Sequence, residues 1–253
     1  MMLGITELTY TALIAFLIVI IIGPIFIPML RKFKFGQTVR DDGPQTHLAK
    51  NGTPTMGGII MIVAILITGL TRVKVSHDMA VGLICIAGFG FIGFLDDFIK
   101  IKLKRSLGLK AYQKIILQVA LSFYVAFYQY TSSSSASQLM IPFTDFVINV
   151  GILYIPIMMF IIVAIVNAVN LTDGLDGLAS GVTLIVSVFF MLFASSIAGN
   201  TEVAVLAAAT VGACLGFLGF NSYPARVFMG DTGSMALGGA VVAFSVLTNS
   251  VLI

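Results

Sequence analysis

Of 253 residues, 58% are hydrophobic and only 10% are charged, against about 25% charged in a typical soluble domain. A water-soluble fold of this length cannot hide so much apolar surface, so lipid must solvate much of the chain; the bilayer is an expected partner and nucleic acid is not. The net charge of +3 is small, which makes the placement of the charges more informative than their sum.

Eight apolar segments can be drawn, approximately at 8–30, 56–70, 79–95, 112–130, 146–168, 178–197, 203–220 and 235–252. Each is near the roughly 20 residues that cross a bilayer, although the second is short and bears glycine. The first is too long for a signal peptide and lacks a basic leader and a small-residue cleavage site, so it counts as a span. The fold class expected is all-α, a polytopic membrane helix bundle of about eight transmembrane helices forming one integral membrane domain over 1–253. Cys85 and Cys214 lie in apolar runs and read as buried thiols, with no spacing that suggests zinc or a disulfide framework.

With the N-terminus outside, the inner connections fall near 31–55, 96–111, 167–177 and 221–234. All of the 14 basic residues except Arg72 and Lys74 then lie inside, with Lys114 assigned to the nearby inner membrane end. The positive-inside rule therefore selects this topology. The carboxylates follow the same asymmetry: of 11 acids, only Glu7, Asp78, Asp145 and Glu202 lie outside. Acidic residues contribute little to orientation, so sorting does not explain why Asp41, Asp42, Asp96, Asp97, Asp173, Asp176 and Asp231 gather inside. Holding each at a helix end costs on the order of 1–3 kcal/mol, which points to a use for them.

The first inner connection runs Asp41-Asp-Gly-Pro-Gln-Thr-His-Leu-Ala-Lys-Asn-Gly-Thr-Pro-Thr-Met-Gly-Gly58. Its glycines and prolines specify a shaped loop rather than a helix. Lys50, Thr53 and Thr55 offer a point charge and hydroxyls suited to phosphate oxygens, without the spacing of a P-loop. His47 is either a catalytic group or a solvated one.

Asp96 and Asp97 close the third segment. Two adjacent carboxylates repel, and either Lys100 or a hard divalent cation such as Mg²⁺ can neutralise them. The basic run 100–110 reads first as a lipid-headgroup or topology feature and second as an attractor of an anionic, diphosphate-bearing substrate.

In the third inner connection Asn167, Asn170, Asp173 and Asp176 recur at every third residue. An ideal helix would drift about 60° per step along that series, and Gly174 and Gly177 favour a break. The competing account is a pair of helix caps, which needs fewer polar groups than these four. In the fourth connection Asp231 stands between Gly230 and Gly233 just before the last segment, as a site carboxylate or as an N-cap. Phe228 is equally a base-stacking ring or an interface anchor.

Metal-binding carboxylates, phosphate-binding cations and amides on one face suit phosphoryl transfer between a soluble nucleotide substrate and a membrane-bound acceptor. A proton-coupled transporter would instead need charges near the bilayer midplane and an internal repeat, and the spans offer neither.

Together these motifs resemble the phospho-N-acetylmuramoyl-pentapeptide transferase family, bacterial enzymes within the polyprenyl-phosphate N-acetylhexosamine-1-phosphate transferase superfamily. The match runs from about Arg40 to Gly239. Gly52-Thr-Pro-Thr-Met-Gly-Gly58 with His47 and Lys50 favours this member; the Asp96–Asp97 pair, 170–177 and 229–234 are shared more broadly. The resemblance implies transfer of phospho-N-acetylmuramoyl-pentapeptide from its UDP-linked donor to undecaprenyl phosphate, with UMP released and Mg²⁺ required. The place implied is the cytoplasmic face of the bacterial inner membrane, and a homodimer is compatible with it.

By motif, Asp96, Asp97 and Asp231 would be catalytic, one of the first two assisting or deprotonating the lipid phosphate. Asp231 would bind the metal with Asn170 as a second ligand. Lys50, Thr55, Lys100, Asn170, Asp173, Asp176 and Phe228 would contact substrate, Phe228 near uracil, with direct attack favoured over an aspartyl-phosphate step. Members are longer, with two further spans and a histidine-rich inner loop between them. The present sequence holds only His47 and His77, so the resemblance implies a C-terminally truncated member. A related N-acetylglucosamine-1-phosphate transferase and an inactive truncated form are the alternatives.

Overall fold

The computed structural model describes residues 4–32, 52–103, 105, 107–132, 137–140, 144 and 146–252. Among them are eight α-helices, here numbered in chain order: α1 Ile5–Lys32, α2 Gly58–Arg72, α3 His77–Leu103, α4 Ala111–Ser132, α5 Tyr154–Thr172, α6 Leu178–Phe193, α7 Thr201–Asn221 and α8 Gly230–Leu247. Six of them, α1, α3, α5, α6, α7 and α8, are long and apolar enough to cross a membrane, α5 and α6 doing so with the short turns that flank them, while α2 is apolar but short. The chain is an all-α, multi-pass membrane protein.

Burial separates the centre from the rim. In α7 and α8, 78% and 83% of the apolar stretch is buried, whereas α1 reaches 28% and α5 and α6 only 22%. The central pair is lined with small residues, and that composition is the cause: small side chains let neighbouring backbones come close, the usual device where lipid removes any hydrophobic drive between helices. On α1 the buried positions Leu8, Thr11, Ala15, Val19, Gly23, Ile27 and Leu30 recur at three or four residues and form one stripe. That stripe lies on α7, where a Cβ at Gly212 would stand within 2 Å of the Ala12 carbonyl oxygen and one at Gly216 within 3 Å of Val19. The most extensive contact in the bundle is α3 against α8, followed by α1 against α7, and then α6 on α7, α5 on α8 and α4 on α5.

The helices alternate in direction. One end of the bundle is tied by Arg72 to Glu7 and Thr11, Tyr128 to Asp78 at 2.7 Å and Gln129 to Asn249 at 2.6 Å. At the other end meet the C-termini of α1, α3, α5 and α7 and the N-termini of α2, α4, α6 and α8. The described helix ends that flank the four connections expected to share one face therefore do share one end.

Several boundaries move. Leu139 pairs with Ile148 in a small antiparallel hairpin, β1 Gln138–Met140 with β2 Val147–Asn149, so the fifth helix begins after a 3-10 turn at Gly151–Leu153 and not at 146. The third helix runs on to Leu103, beyond the doublet expected to close it. Both cysteines are buried free thiols.

Candidate active site and metal centre

Asp96 and Asp97 sit in the last part of α3 and are 3% and 4% exposed. Consecutive helical positions point about 100° apart, so the two carboxylates meet different neighbours. Asp97 turns to the start of α8, where its Oδ2 accepts from the Thr232 amide at 2.9 Å and the Thr232 hydroxyl at 2.7 Å. Asp96 turns to the segment after α3, where its Oδ1 accepts from the Leu109 amide at 2.8 Å. Its Oδ2 lies 2.6 Å from Lys100 Nζ as a charge-assisted ion pair and meets no other donor among the described residues.

Asp231 lies in the first turn of α8, where the helix dipole favours a negative charge. It does not cap the helix with its side chain. Its Oδ2 is bridged by two ammonium groups, Lys100 Nζ at 3.1 Å and Lys114 Nζ at 3.0 Å. Its Oδ1 accepts from Asn170 Nδ2 at 3.1 Å. Asn170 also donates to Ser234 at 2.8 Å and accepts from Lys114 at 3.3 Å. Residues from α3, α4, α5 and α8 thus close on one point.

Close backbone approaches make this convergence possible. A Cβ at Gly93 would lie 2.0 Å from the Asp231 carbonyl oxygen, and one at Gly58 would lie 2.1 Å from Gly233 Cα. Gly230 has φ +73 and faces Asp97 Oδ2 and Thr55 Oγ1. A side chain there would strain the backbone and displace both groups.

The end of the first loop is stitched to the fourth. Phe228 N donates to the Pro54 carbonyl at 2.8 Å, Gly57 N to Phe228 O at 2.9 Å and Gly58 N to Met229 O at 3.0 Å. Met56, within this stitch, holds φ at 69 although it is not glycine. Such a residue costs about 1–3 kcal/mol and persists only where its surroundings enforce it.

Of the residues singled out in the sequence, Asp96, Asp97, Lys100, Asn170 and Asp231 form one cluster, and Thr55 is buried beside it. Asp173, Asp176 and Phe228 occupy the neighbouring loops. These are held together by Asp176 Oδ2 accepting from Ala225 N at 3.2 Å and by Asn221, which accepts from Gly177 N at 3.0 Å and donates to Val227 O at 2.9 Å. The regular three-residue strip is therefore broken: α5 ends at Thr172, and Asn167 points to a partner on α4. Lys50 and His47 lie outside the described residues. Lys114, Thr232, Ser234 and Asn221 were not singled out. Lys114 carries a signal, a cation just inside an otherwise apolar segment, but positive-inside sorting alone accounts for it.

One carboxylate oxygen from each of Asp96, Asp97 and Asp231 lies within 4.8 Å of the other two, a group that could hold a metal ion. The donor set fits a hard cation: oxygen ligands only, one buried carboxylate oxygen whose sole donor is the Lys100 ammonium, and an amide oxygen adjacent at Asn170. In formal charge, three carboxylates against Lys100 and Lys114 leave −3 + 2 = −1 for a cation to offset.

Residues 79–249 match the model of glycosyl transferase family 4, and residues 50–62 match phospho-N-acetylmuramoyl-pentapeptide-transferase signature 1. The chain is 50% identical to a phospho-N-acetylmuramoyl-pentapeptide-transferase of Desulfitobacterium hafniense, over 96% of this chain and 76% of that protein. It is 52% identical to the one of Alkaliphilus metalliredigens, over 98% and 78%, and 50% identical to the one of Clostridium kluyveri, over 95% and 76%. It thus spans about three quarters of the length of these relatives. With its carboxylate cluster lying inside the matched region, the chain belongs to the phospho-N-acetylmuramoyl-pentapeptide transferase family of membrane transferases.

Proposed function

We propose that this protein transfers phospho-N-acetylmuramoyl-pentapeptide from a UDP-linked donor to undecaprenyl phosphate at the cytoplasmic face of the bacterial cytoplasmic membrane. The products are the first lipid-linked peptidoglycan precursor and UMP. The observation that carries this reading is the convergence of Asp96, Asp97, Asp231, Lys100, Lys114 and Asn170 at one end of a membrane bundle.

An oxygen of the lipid phosphate attacks the sugar-bearing phosphorus of the donor. The new P–O bond forms as the bond to the bridging oxygen breaks, and UMP leaves with that oxygen. Asp96 suits the role of assisting the lipid phosphate or taking its proton, since no donor but the Lys100 ammonium meets its Oδ2. Asp97 is already committed to two bonds from Thr232 and positions the start of α8. Lys100, held among three carboxylates, would contact the donor's diphosphate once a bound cation offsets their charge. Asp231 and Asn170 would hold Mg²⁺, which when bound neutralises the diphosphate and the charge on the leaving group. On this reading the substrate contacts are Thr55 beside the centre, Asp173, Asp176 and Phe228 in the neighbouring loops, with Phe228 for uracil, and Lys50 for phosphate.

The test is radiolabel transfer from the UDP-linked sugar peptide to undecaprenyl phosphate in vesicles. It uses the chain itself, a form extended to the relatives' length, and Asp231→Ala in each. Mg²⁺-dependent transfer lost in Asp231→Ala is expected. Absence of transfer in both wild-type forms, or a preference for UDP-N-acetylglucosamine, would refute it.

A further inference from the structure

One turn from the carboxylate cluster, α4 and α5 share a second polar contact that the transfer reading does not use. Gln118 Nε2 donates to Asn167 Oδ1 at 3.3 Å, and Asn167 Nδ2 donates back to Gln118 Oε1 at 2.8 Å. Asn167 also donates to the Val163 carbonyl at 2.8 Å, and Ser122 bonds the Gln118 carbonyl at 2.7 Å. Gln118 is fully buried. An amide inside an apolar bundle is costly unless its partner is in register, so a reciprocal pair fixes two helices at one relative position where apolar packing alone tolerates sliding.

The register it fixes is the one the cluster needs. Lys114 precedes Gln118 by four residues on α4, and Asn170 follows Asn167 by three on α5, so each site residue stands on the same helix face as one member of the pair. The two contacts form consecutive rungs: Gln118 with Asn167, then Lys114 with Asn170 at 3.3 Å. The second rung meets Asp231 on α8, at 3.0 Å from Lys114 and 3.1 Å from Asn170.

We infer that Gln118 and Asn167 are positioning residues, an amide lock between α4 and α5 that aims Lys114 and Asn170 at the Asp231 carboxylate. The inference deepens the proposed transferase site, but its first readout does not depend on that reading. Lys114 is only 17% exposed while it is held on Asp231, and an amine-reactive ester should label it slowly.

The experiment quantifies labelling of Lys114 by mass spectrometry in the full chain in detergent, well below its unfolding temperature, with exposed Lys110 as the internal reference. Gln118→Leu and Asn167→Leu should each raise Lys114 labelling several-fold. The exchanged pair, Gln118→Asn with Asn167→Gln, should restore it toward wild type. Should Gln118→Leu not fold, Gln118→Met removes the amide at similar length and is read in the same way.

In transfer assays the single variants should lose about tenfold or more in kcat with KM for the donor little changed, as expected for a misaimed group. Lys114 labelled at the wild-type rate in the folded single variants would overturn the inference and leave the pair as packing alone. Raised labelling with no transfer by any form, wild type included, would uphold the lock and refute the transferase reading. Transfer by wild type with unchanged labelling would do the reverse.

Discussion

Replacing Gly93 with alanine puts a methyl group into the backbone of α8. The added Cβ would lie 2.0 Å from the Asp231 carbonyl oxygen, 2.4 Å from its carbon and 2.7 Å from Thr232 N. These are backbone atoms in the first turn of a helix, so no side-chain rotation relieves the clash. Ordinary contact begins near 3.4 Å, and α3 and α8 must therefore part by about 3.4 − 2.0 = 1.4 Å. A shift of that size stretches the Thr232 bonds to Asp97, now 2.9 and 2.7 Å, past hydrogen-bonding range. Overpacking costs about 1–3 kcal/mol and each of the two hydrogen bonds to a charged group about 1.5–3 kcal/mol, so a loss of about 4 kcal/mol or more is expected.

Function should suffer more, since Asp96 and Asp97 move away from Asp231. A misplacement of about 1 Å can cost a hundredfold in rate. The comparison is Gly181→Ala on α6, where an added Cβ meets nothing within 4 Å. That variant should keep its activity and gain up to about 1 kcal/mol from helix propensity. Thermal unfolding in detergent and the transfer rate are the two measurements. A Gly93→Ala protein that unfolds and turns over like wild type would refute the account of how α3 and α8 are joined.

Other perturbations separate the parts of the site. Thr232→Val removes one charge-assisted bond to Asp97 at constant shape and should lower stability by about 1.5–3 kcal/mol in the same unfolding assay. Asp231→Asn leaves Lys100 and Lys114 with a neutral amide in place of the carboxylate they share, and Mn²⁺ binding followed by electron paramagnetic resonance should fall below detection if this cluster is the metal site. Asn221→Leu strands the Gly177 amide and the Val227 carbonyl, costing about 1–3 kcal/mol each where buried; KM for the uridine donor should rise more than kcat falls. Arg72→Met, at the other end of the bundle, removes a partly exposed ion pair to Glu7; it should cost less than about 1 kcal/mol and leave transfer unchanged.

The sequence revealed which end of the bundle carries chemistry because charge is excluded from lipid and must be placed at helix ends, whatever the packing. It could not reveal how far the helices run beyond the apolar stretch. Hydropathy falls at Asp96, but α3 continues to Leu103 because Thr232 and Leu109 satisfy the two carboxylates and Lys100 lies one turn on. The three-residue series from Asn167 to Asp176 looked like one strip only while the end of α5 was unknown. Once the helix stops at Thr172, Asn170 belongs to the cluster, Asn167 to Gln118, and the two aspartates to the loop. Partners on other helices decide these assignments, and spacing along a single helix contains no information about them. Lys114 shows the same limit: positive-inside counting explained its presence well enough that nothing pointed to a second use.

The doublet at Asp96 and Asp97 gains its meaning from helical geometry. Had the helix ended there, both carboxylates could have swung to one solvated ligand and served as a pair. Carried onward as helix, they are fixed about 100° apart, and each is bound to a different segment of the chain. Asp97 secures α8 and thereby Asp231, while Asp96 secures the segment entering α4 and thereby the approach of Lys114. The two adjacent residues thus tie together both elements that bring cations and carboxylates to one point. They also leave one Asp96 oxygen with only an ion-pair contact. Holding this much like charge near lipid is unfavourable in itself. It is tolerated because Lys100, Lys114, Asn170, Thr232 and Leu109 bring donors to the three carboxylates, and the Asp96 oxygen held by Lys100 alone marks where a cation or a substrate proton would complete the set.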